Sequence, residues 1–424
     1  MQFRPLVALL LLPALLGAMS ADIPPQNAAS RAFEALGNGE YLVASAALHT
    51  AALDANCMIA DHDMFANWTQ VESFIAGETP TDSGATPSWQ VSEGDIAAIG
   101  RATAHDALDE IAKRARDTRI VIVNEDHSVP RSRVFALQVA RRLRPLGYDV
   151  LALETLTNDA DPQERERMQT RLVTDGFVRR STGTYTADPV FADYLRQALR
   201  LGYRPVAYEK TDFSKSGIAD REQQEADNLV RNALNRYPHA KLLIHVGFAH
   251  LAEAKIGRPG TSELWMAGRL KQMTGIDPLT IDQTTFMEIP STRPSRPIYP
   301  IAAPKAGRSS VVLFDQGKPL VVGRFAGAID LQVVHPRAPH IAGRPGWLTQ
   351  LGRRPVAAPV RLRPTTGTVL VQAFAAREPT DAIPLDQVLW TAGRARPSLM
   401  LPHGRVRFVT QVALPARCEV EQPR

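Results

Sequence analysis

The sequence predicts an α/β protein in which helices flank a mainly parallel β-sheet, with helices before this core and a small all-β unit after it. From residue 119 onward, a short apolar run followed by a helix-like segment occurs four times. Buried parallel strands have this composition because helices cover both faces of the sheet. After Pro290, Pro, Arg and Gly become frequent and short strand-like runs alternate with turns. This order of patterns defines the predicted fold class.

The first twenty residues have the pattern of a secretory signal peptide. Arg4 supplies a positive charge, and Leu6 to Leu16 form an apolar stretch that is too short to cross a bilayer. Ala18-Met19-Ser20 provides the small residues that signal peptidase requires. We therefore expect cleavage after residues 1–20, no membrane span, and a periplasmic or secreted mature protein.

Charge and cysteine content limit the classes of partner. The net charge is +5, from 49 basic and 44 acidic residues, and no dense Lys/Arg run occurs. Nucleic-acid binding needs a concentrated basic face, so we expect no nucleic-acid partner. Cys57 and Cys418 are the only cysteines of the chain. In an oxidising compartment they could form one disulfide, and two buried thiols are the alternative.

Helices are predicted before the sheet. Residues 27–54 are rich in Ala and Leu with few helix breakers, and Gly77 to Ser88 has loop composition. A second helix is expected from Glu93 to Arg116, with Ser92 as its N-cap. Residues 21–94 would thus form an N-terminal helical segment.

The α/β domain is predicted over residues 95–345. Its four apolar runs are Arg119–Asn124, Tyr148–Glu154, Tyr203–Glu209 and Lys241–Gly247. The segments Ser132–Leu146 and Asp188–Leu201 carry apolar stripes at helical spacing, which would face the sheet. Val311–Phe314 and Ile329–Val334 are candidates for further strands. Residues 355–424 form the small β domain, with strand-like VLVQAF, QVLW and VRFVTQV.

Each of the four predicted strands ends in ionisable side chains. Glu125, Asp126 and His127 follow the first, Glu154 ends the second, Glu209 and Asp212 close the third, and His250 follows the fourth. Open α/β sheets bind ligands at the carboxyl ends of their strands. We therefore expect these side chains to meet at one edge of the sheet.

His127 is the principal catalytic candidate, because imidazole exchanges protons near neutral pH and can activate water. Glu125 and Glu154 could hold its ring and stabilise the imidazolium, and Gly247 suggests a bend that brings His250 to the site. The alternatives are a loop-capping role for His127 and an ion pair of Glu154 with Arg131 or Arg133. His245 lies inside an apolar run and is interpreted as a core histidine.

A second set of residues is assigned to substrate binding: Arg131, Arg133, Glu209, Asp212 and Arg221. Guanidinium groups suit a carboxylate or phosphate, although Arg131 and Arg133 could equally form a solvated helix start. Of Glu209 and Asp212, one is expected to contact the site and the other to cap a helix. Asp61-His62-Asp63 is assigned no role, since adjacent residues rarely point to one centre.

The stretch VIVNEDHSVPRSRVFALQVARRLRPLGYDVLALE resembles the erythromycin esterase / ChaN-like / Tiki superfamily, where a strand ends in a Gly-Glu-x-His-like motif and the next in Leu-x-Leu-Glu. REQQEADNLV, LLIHVGFAHL and WMAGRLKQMTGIDPLTID resemble later motifs in the same order. The resemblance covers about Asp95 to Arg337. Asn124 stands where the family often has glycine, and the single residue between Glu125 and His127 matches the ChaN-like spacing. The resemblance therefore implies a shared site and not macrolide specificity.

These residues are compatible with three functions, in each of which the protein acts on or binds a small molecule or a peptide. The first is a hydrolase in which His127 activates water against an ester, lactone or amide and His250 or an arginine stabilises the oxyanion. In the second, which the Tiki resemblance implies, Glu125, His127, Glu154 and His250 bind a divalent transition metal of a peptidase-like metallohydrolase. The third, implied by the ChaN-like resemblance, is a periplasmic haem- or metal-binding protein without catalysis. The sequence has no Gly-x-Ser-x-Gly or His-Glu-x-x-His motif to support other mechanisms.

Overall fold

A computed structural model describes residues 25–77, 92–257, 262–288 and 298–413. The predicted signal peptide, Cys418 and all of the predicted loop except Gly77 lie outside these residues. Cys57 is disulfide-bonded, in agreement with the first of the two interpretations of the cysteines. Among the described helices, none combines the length and the apolar character that a membrane span requires.

The described helices and strands follow one another along the chain. The α-helices are α1 (Pro25–Asn38), α2 (Tyr41–Ala52), α3 (His62–Ala76), α4 (Glu93–Arg101), α5 (Ala107–Arg114), α6 (Arg131–Leu143), α7 (Pro162–Asp175), α8 (Pro189–Arg200), α9 (Ile218–Leu229), α10 (Met266–Thr274) and α11 (Tyr299–Ala306). The strands are β1 (Thr103–Asp106), β2 (Ile120–Glu125), β3 (Tyr148–Leu153), β4 (Arg204–Ala207), β5 (Lys241–Gly247), β6 (Leu279–Asp282), β7 (Val311–Asp315), β8 (Lys318–Pro319), β9 (Leu331–Val334), β10 (His340–Ile341), β11 (Arg344–Pro345), β12 (Arg354–Ala357), β13 (Thr368–Ala375), β14 (Asp386–Thr391), β15 (Ser398–Leu401) and β16 (Val406–Val412).

The central sheet has nine strands in the order β1-β7-β9-β6-β2-β5-β3-β4, with β8 paired to β7. The run from β9 to β4 is parallel, whereas β7 pairs antiparallel with β1, β8 and β9. The sheet is therefore mixed, and the prediction of a mainly parallel sheet is wrong. The antiparallel edge of the sheet could not be recognised in the sequence, because all four residues of β1 are exposed and form no apolar run.

The four predicted core strands are confirmed as β2, β3, β4 and β5, which are neighbours in the sheet. Helices α6 and α8 pack on one face through residues such as Phe135 and Phe191. Helices α9 and α10 cover the other face through residues such as Leu229 and Met266. Because both faces are covered, every residue of β2 is buried. The carboxyl ends of these strands consequently lie side by side.

The two long helices predicted before the sheet are each interrupted. Gly39, with a φ of 79°, separates α1 from α2, a conformation that glycine adopts without steric cost. Strand β1 separates α4 from α5, because its residues pair with β7. The predicted N-cap is confirmed: the Ser92 hydroxyl accepts the N–H of Asp95 at 3.0 Å.

The N-terminal helices and the C-terminal strands share a core. Leu370 of β13 belongs to the same buried cluster as Leu48 and Phe74 of α2 and α3. The Gln387 side chain of β14 also donates to the carbonyl oxygen of Phe74 at 2.8 Å. Strands β14, β13 and β16 form the predicted all-β unit, and β12 and β15 add an antiparallel pair that was not predicted.

Candidate functional site

The site begins where β2, β3 and β5 end. Glu125 is the last residue of β2 and lies opposite Gly247, the last residue of β5. Glu154 directly follows β3, and its carboxylate accepts the backbone N–H of Gly247. The predicted convergence of the strand ends is therefore present in the fold.

His127 is held by a buried carboxylate. Its Nδ1 lies 2.8 Å from Oε1 of Glu125. Arg133 donates to both oxygens of Glu125, from Nε at 2.7 Å and Nη2 at 2.9 Å, and to Asp188 from Nη1 at 2.6 Å. Burial opposes ionisation of Glu125, but the charge of Arg133 outweighs it and holds the pKa of Glu125 below its ordinary value. The ionised carboxylate can only accept, so Nδ1 of His127 donates to it.

This arrangement leaves the other ring nitrogen of His127 available. In a neutral ring whose Nδ1 carries the proton, Nε2 has the lone pair. Among the residues that the structure describes, Nε2 has no hydrogen-bond partner. The ring packs against Tyr185, with centroids 4.1 Å apart, and edge-on against Phe248 at 5.0 Å. In the neutral ring, Nε2 is thus the nitrogen that can accept a proton.

The backbone under the His127 ring is tightly fitted. A Cβ on Gly247 would lie 2.6 Å from Cε1 of His127 and 2.7 Å from its Nε2. The next residue, Phe248, has a φ of 38°, which is rare for a residue with a side chain. Its backbone N–H donates to the carbonyl oxygen of Glu125 at 2.8 Å. Strained backbone of this kind concentrates at functional sites.

Arg221 links the neighbouring carboxylates. Its Nη2 lies 2.7 Å from Oε1 of Glu154 and 2.6 Å from Oε2 of Glu209, and its Nε lies 2.9 Å from Oε1 of Glu225. Burial raises the pKa of Glu154, but the charges of His250, His127 and Arg221 outweigh this and lower it to about 2. Glu154 is therefore a carboxylate at neutral pH.

His250 lies on the far side of Glu154. Its Nδ1 is 2.9 Å from Oε1 of Glu222 and 3.2 Å from Oε2 of Glu225, and its Nε2 is 3.7 Å from Oε1 of Glu154. Burial disfavours the charged ring, yet these carboxylates raise the pKa of His250 well above its ordinary value. Burial also raises the pKa of Glu225, to about 8.

A cavity of about 340 Å³ adjoins these carboxylates. Its wall combines hydroxyl, carboxylate and apolar groups and consists of Phe33, Glu154, Thr155, Leu156, Thr157, Asn158, Thr184, Tyr185, Glu209 and Lys210. Tyr185 also packs on His127, so the cavity lies next to the candidate base. Phe33 belongs to α1, which means that the N-terminal helices contribute to this wall.

Six of the predicted residues come together: Glu125, His127, Glu154, Glu209, Arg221 and His250. Asp212 does not join them, since it is exposed and accepts the N–H of Ser214 in its own loop at 2.9 Å. Arg131 points elsewhere and donates to the carbonyl oxygen of Pro336 at 2.6 Å. The ion pair that the sequence suggested between Glu154 and Arg131 or Arg133 is replaced by the pair with Arg221.

Arg133 occupies a position that neither sequence interpretation described. Its side chain is completely buried, so it is neither part of a solvated helix start nor placed to touch a substrate. It instead fixes the carboxylate of Glu125. His245 is a core residue as predicted, packed against Phe191 and Tyr194, and burial lowers its pKa to about 4. Asp61 caps α3 by accepting the N–H groups of Asp63 and Met64.

Sequence reasoning missed the contributions of Tyr185 and Glu225. Glu222 and Glu225 are three residues apart in REQQEADN, and this spacing on a helix could have placed both on one face. Tyr185 lies in a short 3₁₀ helix and carries no sequence signal. Among the described residues, Glu222, Glu225 and His250 have donor atoms within 4.8 Å of one another, as a metal site requires. The predicted metal set of Glu125, His127, Glu154 and His250 is not such a group.

Comparison with known proteins gives a weak structural likeness. No family model and no curated protein matches the chain. Among solved structures, one described as "Crystal structure of bacterial protein toxins" has a TM-score of 0.32 and 17% identity, over 59% of this chain and 56% of that one. "The structure of the type III effector HopBA1" has a TM-score of 0.29 and 14% identity, over 50% of this chain and 95% of that one. The match therefore spans little more than half of the toxin chain, and neither likeness carries a functional argument.

Proposed function

We propose that the chain is an exported hydrolase of the erythromycin esterase / ChaN-like / Tiki superfamily, in which His127 activates water against an ester, lactone or amide. The observation that carries this proposal is the bond between Nδ1 of His127 and the ionised Glu125. This bond fixes the tautomer and the ring orientation, so that Nε2 presents its lone pair. The acidic residue of a catalytic triad acts in the same way, because it orients the histidine and fixes its tautomer.

The reaction follows from the positions of the charged groups. Nε2 of His127 takes a proton from water while the oxygen of that water attacks the carbonyl carbon of the substrate. Arg221, whose side chain is about one-third exposed, stabilises the negative charge that develops on the carbonyl oxygen. The tetrahedral intermediate then expels the alcohol or amine, which receives the proton from Nε2. Glu154 and Tyr185 lie in the wall of the cavity in which the substrate would bind.

The His127→Gln variant tests the proposal, because glutamine keeps polarity but cannot exchange the proton. Wild type and variant are compared on a panel of aryl esters, lactones and peptide amides. For any substrate that wild type cleaves, we expect kcat/KM of the variant to fall by about 10²–10⁴-fold, the usual contribution of a general base. Exposed His239 provides the matched control, and His239→Gln should leave hydrolysis unchanged. A folded His127→Gln variant with wild-type activity would refute the proposal.

A further inference from the structure

We infer that Glu222, Glu225 and His250 form a binding site for a first-row divalent metal ion such as Mn²⁺ or Zn²⁺. Their donor atoms lie within 4.8 Å of one another, and all three side chains are buried. One imidazole nitrogen with two carboxylates is a mixed N/O donor set that suits these ions. The site shares only His250 with the residues predicted from the sequence to bind metal, and it does not depend on the proposed hydrolysis.

The fold holds the three donors from two directions. Helix α9 presents Glu222 and Glu225, and the loop after β5 presents His250, whose Nδ1 lies 2.9 Å and 3.2 Å from their oxygens. The backbone N–H of Met266 donates to Oε2 of Glu222 at 2.8 Å. Such outer hydrogen bonds orient the ligands of metal sites.

The carboxylate oxygens themselves favour a cation at this position. Within the described part of the chain, Oε1 of Glu222 and both oxygens of Glu225 are buried without a hydrogen bond. Two cationic groups face these oxygens: Arg221 Nε lies 2.9 Å from Oε1 of Glu225, and Nδ1 of His250 lies 2.9 Å from Oε1 of Glu222 and 3.2 Å from Oε2 of Glu225. Both side chains have no exposed surface. Buried carboxylate oxygens are costly unless a partner or a metal ion satisfies them.

Charge balance leads to the same conclusion. Four carboxylates surround Arg221 and His250, namely those of Glu154, Glu209, Glu222 and Glu225. One guanidinium and one imidazole supply at most two positive charges for these four carboxyl groups, so without a further cation a carboxyl group must hold a proton or stay uncompensated. A divalent cation on Nδ1 of His250 would displace the proton of that nitrogen and raise the positive charge from two to three. Nε2 of His250 lies 3.3 Å from Nη1 of Arg221 and 3.7 Å from Oε1 of Glu154.

The position of the ion suggests its role. Arg221 contacts Glu225 on the metal side and Glu154 and Glu209 on the cavity side. An ion that fixes Glu225 therefore also fixes Arg221 at the cavity. The metal is thus a positioning element, located behind the guanidinium.

The test is metal binding by the full chain after removal of metals with a chelator. We expect wild type to take up one Zn²⁺ or Mn²⁺ per chain, with a rise in melting temperature. In the nearly isosteric variant Glu225→Gln, the affinity should fall about 100-fold or more, since loss of even an outer partner costs 10–100-fold. The matched control is Glu253→Gln, which removes another poorly exposed carboxylate, one paired with Lys271 outside the cluster. Its binding should equal that of wild type.

Two results would overturn the inference: wild type that binds no ion, or a Glu225→Gln variant that binds as tightly as wild type. The first would mean that protons alone balance the cluster. A spectroscopic measurement on the wild-type protein tests the same site and does not depend on whether a variant folds. The spectrum of bound Mn²⁺ should show coupling to a single imidazole nitrogen, and purely oxygen coordination would contradict the site. Because these readouts are binding and spectra, the inference and the proposed hydrolysis can fail separately.

Discussion

At the scale of single residues, Arg133 determines the state of the candidate base. A carboxylate as buried as Glu125 would take up a proton if it had no partner, and it could then no longer fix the tautomer of His127. The bidentate contact with Arg133 keeps it ionised, and Asp188 satisfies the remaining nitrogen of the guanidinium. Breaking such a buried pair costs about 3–5 kcal/mol, which is why these charges act as one unit.

Gly247 offers a direct test of the His127 position. In Gly247→Ala, the added methyl group would lie 2.6 Å from Cε1 of His127, so the ring must move. A misplacement of about 1 Å can cost roughly 10²-fold in rate, and we expect kcat/KM to fall by that factor. Activity on a substrate that wild type cleaves is the measurement, with the urea midpoint as a check on folding.

Gly100→Ala is the matched control, because a Cβ there meets no atom within 4 Å. Gly100 lies inside α4, where alanine is favoured over glycine by about 0.8–1 kcal/mol. This variant should keep full activity with equal or greater stability. Equal activity of both alanine variants would show that the His127 ring need not lie where the structure places it.

At the scale of elements, the sequence predicted strands better than the partners of charged residues. Continuous apolar runs identified β2, β3, β4 and β5, and a shared sheet edge then follows from parallel pairing. The same pattern could not reveal β1, because this exposed edge strand is specified by its pairing with β7 and not by burial. Nor could it decide between Arg131, Arg133 and Arg221 as the partner of Glu154, since that choice depends on how α6 and α9 pack on opposite faces.

Helix α1 brings an element from outside the α/β core to the cavity. Phe33 lines the cavity and remains 39% exposed, so it contributes more to the cavity wall than to the core. We expect Phe33→Ala to raise KM severalfold with little change in kcat, because it removes contact area far from the reacting atoms. Steady-state kinetics on a substrate that wild type cleaves provides the measurement.

Val43 of α2 supplies the control, since it is 43% exposed and absent from the cavity wall. Val43→Ala should leave both KM and kcat unchanged. A fall in kcat at constant KM for Phe33→Ala would contradict the assignment, because it would place Phe33 in the reaction itself and not in binding.

At the scale of the whole molecule, buried ionisable groups make stability depend on pH in opposite directions. Burial lowers the pKa of His49, His245 and His335, so these rings take up protons less readily in the folded chain than in the unfolded one. Burial raises the pKa of Glu253 to about 7. As pH falls below 6.5, the histidines of the unfolded chain bind more protons than those of the folded chain, so the free energy of unfolding decreases. Glu253 acts oppositely, because its contribution is present below its ordinary pKa of 4.5 and is lost as pH rises towards 7.

A variant of His335 allows the effect of a buried histidine on stability to be measured separately from that of Glu253, because His335 lies away from the candidate site. Its Nε2 contacts Oε1 of Gln283 at 3.1 Å and its Nδ1 contacts the Ser310 hydroxyl at 2.8 Å, so both nitrogens of the neutral ring are satisfied. Protonation of the unfolded ring alone should cost wild type about 1.4 kcal/mol between about pH 7.5 and about pH 5.5. In His335→Gln this loss should be absent, as measured by urea unfolding at both pH values. Glu253→Gln should show the opposite change, because it removes a group whose contribution to stability grows on acidification. If His335→Gln retained the full pH dependence of wild type, the ring would have to be protonated in the folded chain, and the packing around it would have to admit a charge.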